Sequence, residues 1–160
     1  MNRIIMKQIA IIALTSLMIW GQANAQRVQK EPSKKTVVME QISPKDYTTF
    51  KVSDNVTMYR VSFENQCKMN VVGHLFIPKS LDMTQQHAAI IVGHPMGAVK
   101  EQSADVYASN MADRGFITLA IDLSFWGESE GEPRNAVLPD VYAEDFSAAV
   151  DFLGTRPELV

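Results

Sequence analysis

The chain has 160 residues, enough for about one domain, and its 46% apolar and 21% charged content is that of an ordinary globular protein. A net charge of −3 with no basic patch gives no electrostatic case for nucleic acid as a partner. The single cysteine excludes an internal disulfide. Cys67 is therefore a buried small apolar residue or a free thiol, and its place beside a hairpin turn without a partner favours burial.

The first 25 residues differ from the rest. Arg3 and Lys7 give a positive start, Ile9 to Trp20 is an apolar run, and Gly21-Gln22-Ala23-Asn24-Ala25 supplies small residues in an A-x-A pattern before Gln26. This is the layout of a cleaved secretory signal, and the apolar run is short for a membrane span. Residues 1–25 are accordingly expected to direct export, to the periplasm or the medium, and no membrane partner is expected after cleavage. Cleavage removes two positive charges and no acidic ones, which leaves a more acidic mature chain. Residues 26–50 form a polar lead-in rich in Lys, Gln, Glu and Ser, in which Thr36–Met39 could pair with a sheet edge. Residues 51–160 carry the folded domain.

Val56 to Phe63 alternates with period two, Glu64 to Lys68 is turn-like, and Met69 to Ile77 is a second strand stopped by Pro78. Together they predict an antiparallel hairpin. Ala88 to Val92 is a continuous apolar run, as in a strand covered on both faces, and Gly93-His94-Pro95-Met96-Gly97 breaks it. Gln102 to Arg114 has helical spacing, with Ala104, Ala108 and Ala112 recurring every four residues alongside Tyr107 and Met111. Gly115 stops it. Phe116 to Leu123 is another buried strand, and a Gly/Glu/Pro/Ser loop runs from Ser124 to Leu138. Pro139 and Asp140 open a helix whose apolar face is Tyr142, Phe146, Ala149, Val150 and Leu153, ended by Gly154. Strand, helix and strand in this order predict a parallel pair with a right-handed crossover, hence an α/β fold.

Two loops could carry chemistry. Gly93 to Gln102 follows a parallel strand at its carboxyl end, where α/β folds place ligands. Its backbone N–H groups could face a developing anion, although a plain strand-to-helix turn fits the spacing at least as well. Gly127-Glu128-Ser129-Glu130-Gly131 satisfies G-x-S-x-G literally. A nucleophile elbow needs its serine between a strand and a helix. Here several residues separate Ser129 from the strand, Glu132-Pro133-Arg134-Asn135 follows, and two glutamates oppose an oxyanion. A solvated acidic loop is the expected reading. Among the histidines, His74 lies mid-strand and His87 in a polar stretch, neither at metal-ligand spacing, and only His94 sits on a functional-looking loop. No metal site is expected. A dinucleotide site, with Gly93, Gly97 and Asp122 as its parts, lacks G-x-G-x-x-G, and export would separate it from cytosolic nucleotides.

From about Met69 onward the chain resembles the α/β-hydrolase superfamily, in its dienelactone-hydrolase-like and acyl-peptidase-like esterase branches. The residues that carry the likeness are the hairpin, the Gly93-His94-Pro95-Met96-Gly97 bend, Asp122 followed by the loop to Gly131, and the helix from Asp140 to Leu153. The resemblance implies a partial hydrolase sheet: an antiparallel hairpin, a parallel βαβ unit and a further helix. It implies that the Met96 backbone N–H is one oxyanion-hole donor, with His94 and Trp126 shaping the binding loop, and that Ser129 is not the nucleophile. The family's nucleophile elbow, catalytic acid and catalytic histidine come later in the chain, so no catalytic triad residue is expected among these 160. The resemblance also implies a small ester or amide substrate in complete relatives, no cofactor, and little catalysis by this portion alone. The rival expectation is a non-catalytic exported module or truncated gene product. In either case a parallel pair without its next strand leaves an open apolar edge, which invites self-association.

Overall fold

The computed structural model describes residues 37–157 and Leu159; the expected signal segment lies outside the described residues. Five strands form one sheet: β1 (Val38–Gln41), β2 (Val56–Glu64), β3 (Asn70–Pro78), β4 (Ala89–Gly93) and β5 (Ile117–Ile121), in the spatial order β1-β2-β3-β5-β4. Three helices accompany them: α1 (Pro44–Tyr47), α2 (Ser103–Ala112) and α3 (Pro139–Gly154). Among the described residues no helix is long and apolar enough to cross a membrane.

β2 and β3 make the expected hairpin, from Val56 opposite Pro78 to Glu64 opposite Asn70. Its turn closes with the Met69 carbonyl accepting from Asn65 N–H and the Asn65 carbonyl accepting from Lys68 N–H. Cys67 sits on that turn and is exposed, which corrects the expectation of burial. β1, inside the polar lead-in, pairs antiparallel with β2 along Val38–Gln41.

β5 runs antiparallel to β3, Gly73 facing Ile121 and Phe76 facing Thr118. β4 runs parallel to β5, Ala89 aligned with Ile117 and Gly93 with Ile121. The Gly93–Gly97 bend and the residues after Ile121 therefore leave the sheet at the same rim. Period-two alternation sends side chains to both faces, and each face has its own core. On one, α2 lays Ala104, Ala108 and Ala112 against Met58, Phe76 and Ala120. The alanines let the helix approach closely, and Tyr107, 54% exposed, is left outside the packed stripe. On the other, α3 packs Ala148, Ala149, Phe152 and Leu153 on Val61, Leu75, Leu119 and Ile121. Phe152 stacks on Phe63 at 4.9 Å between ring centres. Val150, expected on the apolar face of α3, is 59% exposed and points to solvent. Phe152 occupies the core instead, because Ala148, Phe152 and Leu153 define the stripe. Leu75→Ala in such a core typically costs about 2–5 kcal/mol.

Candidate active site

At the carboxyl end of β4 the chain turns sharply, and His94 is buried beneath the turn. Gly93 is small of necessity, since a Cβ there would stand 2.6 Å from the Phe146 ring. The Leu123 N–H donates to His94 Nε2 (3.1 Å), and His94 Nδ1 lies 2.9 Å from the Pro95 carbonyl. An imidazole that accepts at Nε2 and donates at Nδ1 is neutral with its proton on Nδ1. The ring thus ties the bend after β4 to the residue after β5. Its edge meets the Trp126 ring at 6.0 Å. Trp126 is fixed in turn, its Nε1–H donating to Tyr142 Oη (2.7 Å) and the Ala136 carbonyl (3.1 Å). Met96 rises from the crest of the bend with its side chain 81% exposed. Its backbone N–H has no hydrogen-bond acceptor among the described residues, whereas the Ala98 N–H closes the turn onto the Pro95 carbonyl.

The second loop is built around Asp122, which is fully buried. Its Oδ1 accepts from the Lys100 N–H (2.8 Å); its Oδ2 accepts from the Glu128 N–H (2.9 Å) and from Lys100 Nζ (2.7 Å). One carboxylate thus clamps both loops. Gly127 allows this contact: its φ is +50° and an added Cβ would lie 2.2 Å from the Asp122 carboxylate. Gly131 likewise clears the Phe125 ring, which an added Cβ would approach to 2.4 Å. The two glycines of the G-x-S-x-G letters serve this packing. Ser129 is buried, its hydroxyl donating to the Asp122 carbonyl (2.7 Å) and accepting from the Val72 N–H (2.9 Å). It sits in a turn with both hydrogen-bonding roles filled by backbone, a staple joining the loop to β3.

The loop is therefore far from the solvated acidic segment expected from its composition. Lys100 is buried, and its ammonium lies 2.7 Å from Asp122, 2.5 Å from Glu101 and 3.0 Å from Glu128. Burial alone would pull this ammonium down; Asp122, with its hydrogen bond, and Glu101 outweigh it and hold the group above the ordinary lysine value. Burial pushes the Glu128 carboxyl up, but Lys100 and then Arg60 hold it below its ordinary value. Arg134 gathers the loop's carbonyls, donating to those of Ser129 (2.5 Å) and Gly127 (2.7 Å). Behind the loop, Asp145 of α3 accepts from the Ser124 N–H, the Ser124 hydroxyl and Asn65 Nδ2, all at 2.7 Å. Burial raises its carboxyl, and those donors offset part of the rise.

On the α2 face, His74 Nδ1 is 2.8 Å from Asp105 Oδ2, with both side chains fully buried. Burial pushes the Asp105 carboxyl above its ordinary value, and the hydrogen bond from His74 offsets part of that. His94 and Trp126 are thus brought together with Met96 at one rim, whereas His74 lies on the α2 face and His87 bonds the Asp82 carbonyl away from both loops. Sequence reading missed Lys100, Arg134 and the hub at Asp122, because nothing in the local pattern separates a buried loop lysine from an exposed one. A groove of about 620 Å³, lined by Ile42, Phe50, Val52 and Met58 among others, lies towards the amino ends of β4 and β5. That is the rim opposite to the one where α/β sheets hold ligands.

No family model matches the chain. It is 48% identical over 111 residues to the uncharacterised protein PA2218 of Pseudomonas aeruginosa, a match covering 69% of this chain and 30% of that one. It is 43% identical over 98 residues to YcjY of Escherichia coli (60% and 32%), and 38% identical over 73 residues to the thiohydrolase aneE of Aspergillus aculeatus (43% and 22%). The chain spans about a third of the length of the first two relatives. The crystal structure of PA2218 superposes with a TM-score of 0.68 over 76% of this chain and 38% of that one, at 44% identity. The α/β hydrolase GrgF from Penicillium superposes with 0.55 at 25% identity (62% and 33%). Acetyl xylan esterase 1 from Thermoanaerobacterium gives 0.57 at 15% (78% and 41%). The fold of this chain is that of the α/β hydrolases, of which it forms a hairpin, a parallel βαβ unit and a further helix.

Proposed function

We propose that the chain is the portion of an exported α/β hydrolase that shapes the acyl pocket and supplies one donor of its oxyanion hole. The observation that carries this reading is the Met96 N–H, which has no acceptor among the described residues, on an exposed residue of a braced bend at the carboxyl rim of β4. A backbone donor left without a partner is suited to a charge that develops only during reaction. The names of two similar proteins, a thiohydrolase and an acetyl xylan esterase, agree with acyl transfer to water. The substrate class is a small ester or thioester. Alone, the chain is expected to show little turnover. The test is a chimera in which residues 51–153 replace the matching stretch of PA2218. Short-chain p-nitrophenyl esters are assayed with PA2218 and the chimera side by side, and saturable turnover by both is expected; a folded chimera without turnover beside an active PA2218 contradicts the reading. Robust turnover by the isolated chain would show that a nucleophile has been overlooked.

Export by residues 1–25 belongs to the same proposal, on the charged start, apolar run and A-x-A pattern. The processed protein should begin at Gln26 by N-terminal sequencing; an intact Met1 on the accumulated protein would contradict it. Among the described strands β4 lies at the edge of the sheet with Ile90, Ile91 and Val92 half-buried, and self-association along this edge would cover them. Sedimentation that stays monomeric across the micromolar range would argue against that.

A further inference from the structure

The α2 face holds a group that the hydrolase reading does not use. His74 is fully buried, and its Nε2 has no hydrogen-bond partner among the described residues. Its other nitrogen is held by Asp105 at 2.8 Å. With Asp105 ionised, the proton sits on Nδ1 and Nε2 presents a lone pair. One ring nitrogen of His74, one carboxylate oxygen of Glu101 and one of Glu128 all lie within 4.8 Å of one another, and because Asp105 holds Nδ1, Nε2 is the nitrogen left for a ligand. A carboxylate that orients a histidine whose other nitrogen faces further oxygen donors is the arrangement found behind metal-bound histidines.

We propose that His74, Glu101 and Glu128 bind one divalent cation of the zinc class, with Asp105 as the group that orients His74. Two carboxylates and an imidazole suit a borderline metal, and bonds of about 2.0–2.2 Å need the cluster to tighten by about an ångström. The glutamates can make that movement, since their side chains are 30% and 40% exposed, and the same exposure gives the ion a way in. Lys100 touches one oxygen of each glutamate and also Asp122. Glu101 keeps a second oxygen outside its Lys100 contact, whereas Arg60 Nε reaches both oxygens of Glu128 (3.4 and 3.2 Å), so the ion has to displace Arg60 from one of them; Lys100 retains Asp122 when the ion binds. The charge balance leaves room for a cation: among the described residues the three carboxylates of Glu101, Asp122 and Glu128 are paired with two cations, Lys100 and Arg60. A buried excess of negative charge is costly unless it is paired.

The test is calorimetric titration of Zn²⁺ into the EDTA-treated full chain carrying Cys67→Ser, which removes the exposed thiol as a competing ligand. One Zn²⁺ per chain is expected. His87→Gln should leave binding unchanged, His74→Gln should abolish it, and Asp105→Asn should weaken it by about 10–100-fold. If His74→Gln does not fold, Glu128→Gln, at a half-exposed position, serves in its place and should weaken binding at least tenfold. Absence of stoichiometric binding, or binding undiminished in the folded His74 or Glu128 variant, would overturn the proposal and leave Nε2 to a buried water.

Discussion

Replacing Ser129 with alanine separates the two readings of the G-x-S-x-G letters. The hydroxyl is buried and holds two backbone groups, accepting from the Val72 N–H at 2.9 Å and donating to the Asp122 carbonyl at 2.7 Å. Alanine strands the Val72 N–H in the interior, and a buried donor without a partner costs about 1–3 kcal/mol. The Asp122 carbonyl loses its hydroxyl donor in the same step, which places the expected loss in the upper half of that range. For a domain of this size such a loss lowers the melting temperature by about 5–15 °C. Urea and thermal unfolding of Ser129→Ala beside the parent chain measure it directly. A change below about 0.5 kcal/mol, the size seen at ordinary surface positions, would refute the staple. Unchanged stability together with loss of ester turnover would instead make Ser129 a nucleophile.

Gly127→Ala should destabilise by at least about 2 kcal/mol in the same unfolding assay, because it combines a positive φ with a Cβ 2.2 Å from the Asp122 carboxylate; a neutral effect would mean that the clamp is loose. Asn65→Ala should cost about 1–3 kcal/mol at neutral pH by removing a donor from the buried Asp145. Because burial raises the Asp145 carboxyl in the folded state, the stability it contributes is complete below its ordinary value of 3.8 and is lost as pH rises through the folded value. Asn65→Ala raises that folded value further, so its cost should shrink as pH falls towards 4; a cost independent of pH would contradict this.

The sheet was legible in the sequence because each strand announced itself by a different pattern. Alternation from Val56 to Phe63 matches β2, whose Met58 and Val61 enter the cores on opposite faces, and the unbroken apolar runs of β4 and β5 match a parallel pair in which β5 is fully buried and β4 half-buried. The Gly93–Gly97 bend was legible for a related reason, since glycine and proline punctuate strand ends. The rest was hidden by tertiary contacts. Nothing local to Lys100 shows that Asp122 and Glu128 will close around it, and nothing local to Ser129 shows that Val72 needs its hydroxyl. Glu128 read as a solvated charge because its partners, Lys100 and Arg60, lie 28 and 68 residues away. Helix faces failed where small and large apolar residues compete: three alanines, and not Tyr107, set the packing of α2.

The most direct measurement bears on a single N–H. An α-hydroxy acid at position 96 of the PA2218 chimera exchanges the Met96 peptide N–H for an ester oxygen and keeps the side chain. We expect kcat for p-nitrophenyl ester hydrolysis to fall by about 10²–10³, with Met96→Ala, which keeps the N–H, within a few-fold of the parent. Equal kcat for the α-hydroxy acid variant and the parent would contradict a role for this bend in stabilising the oxyanion.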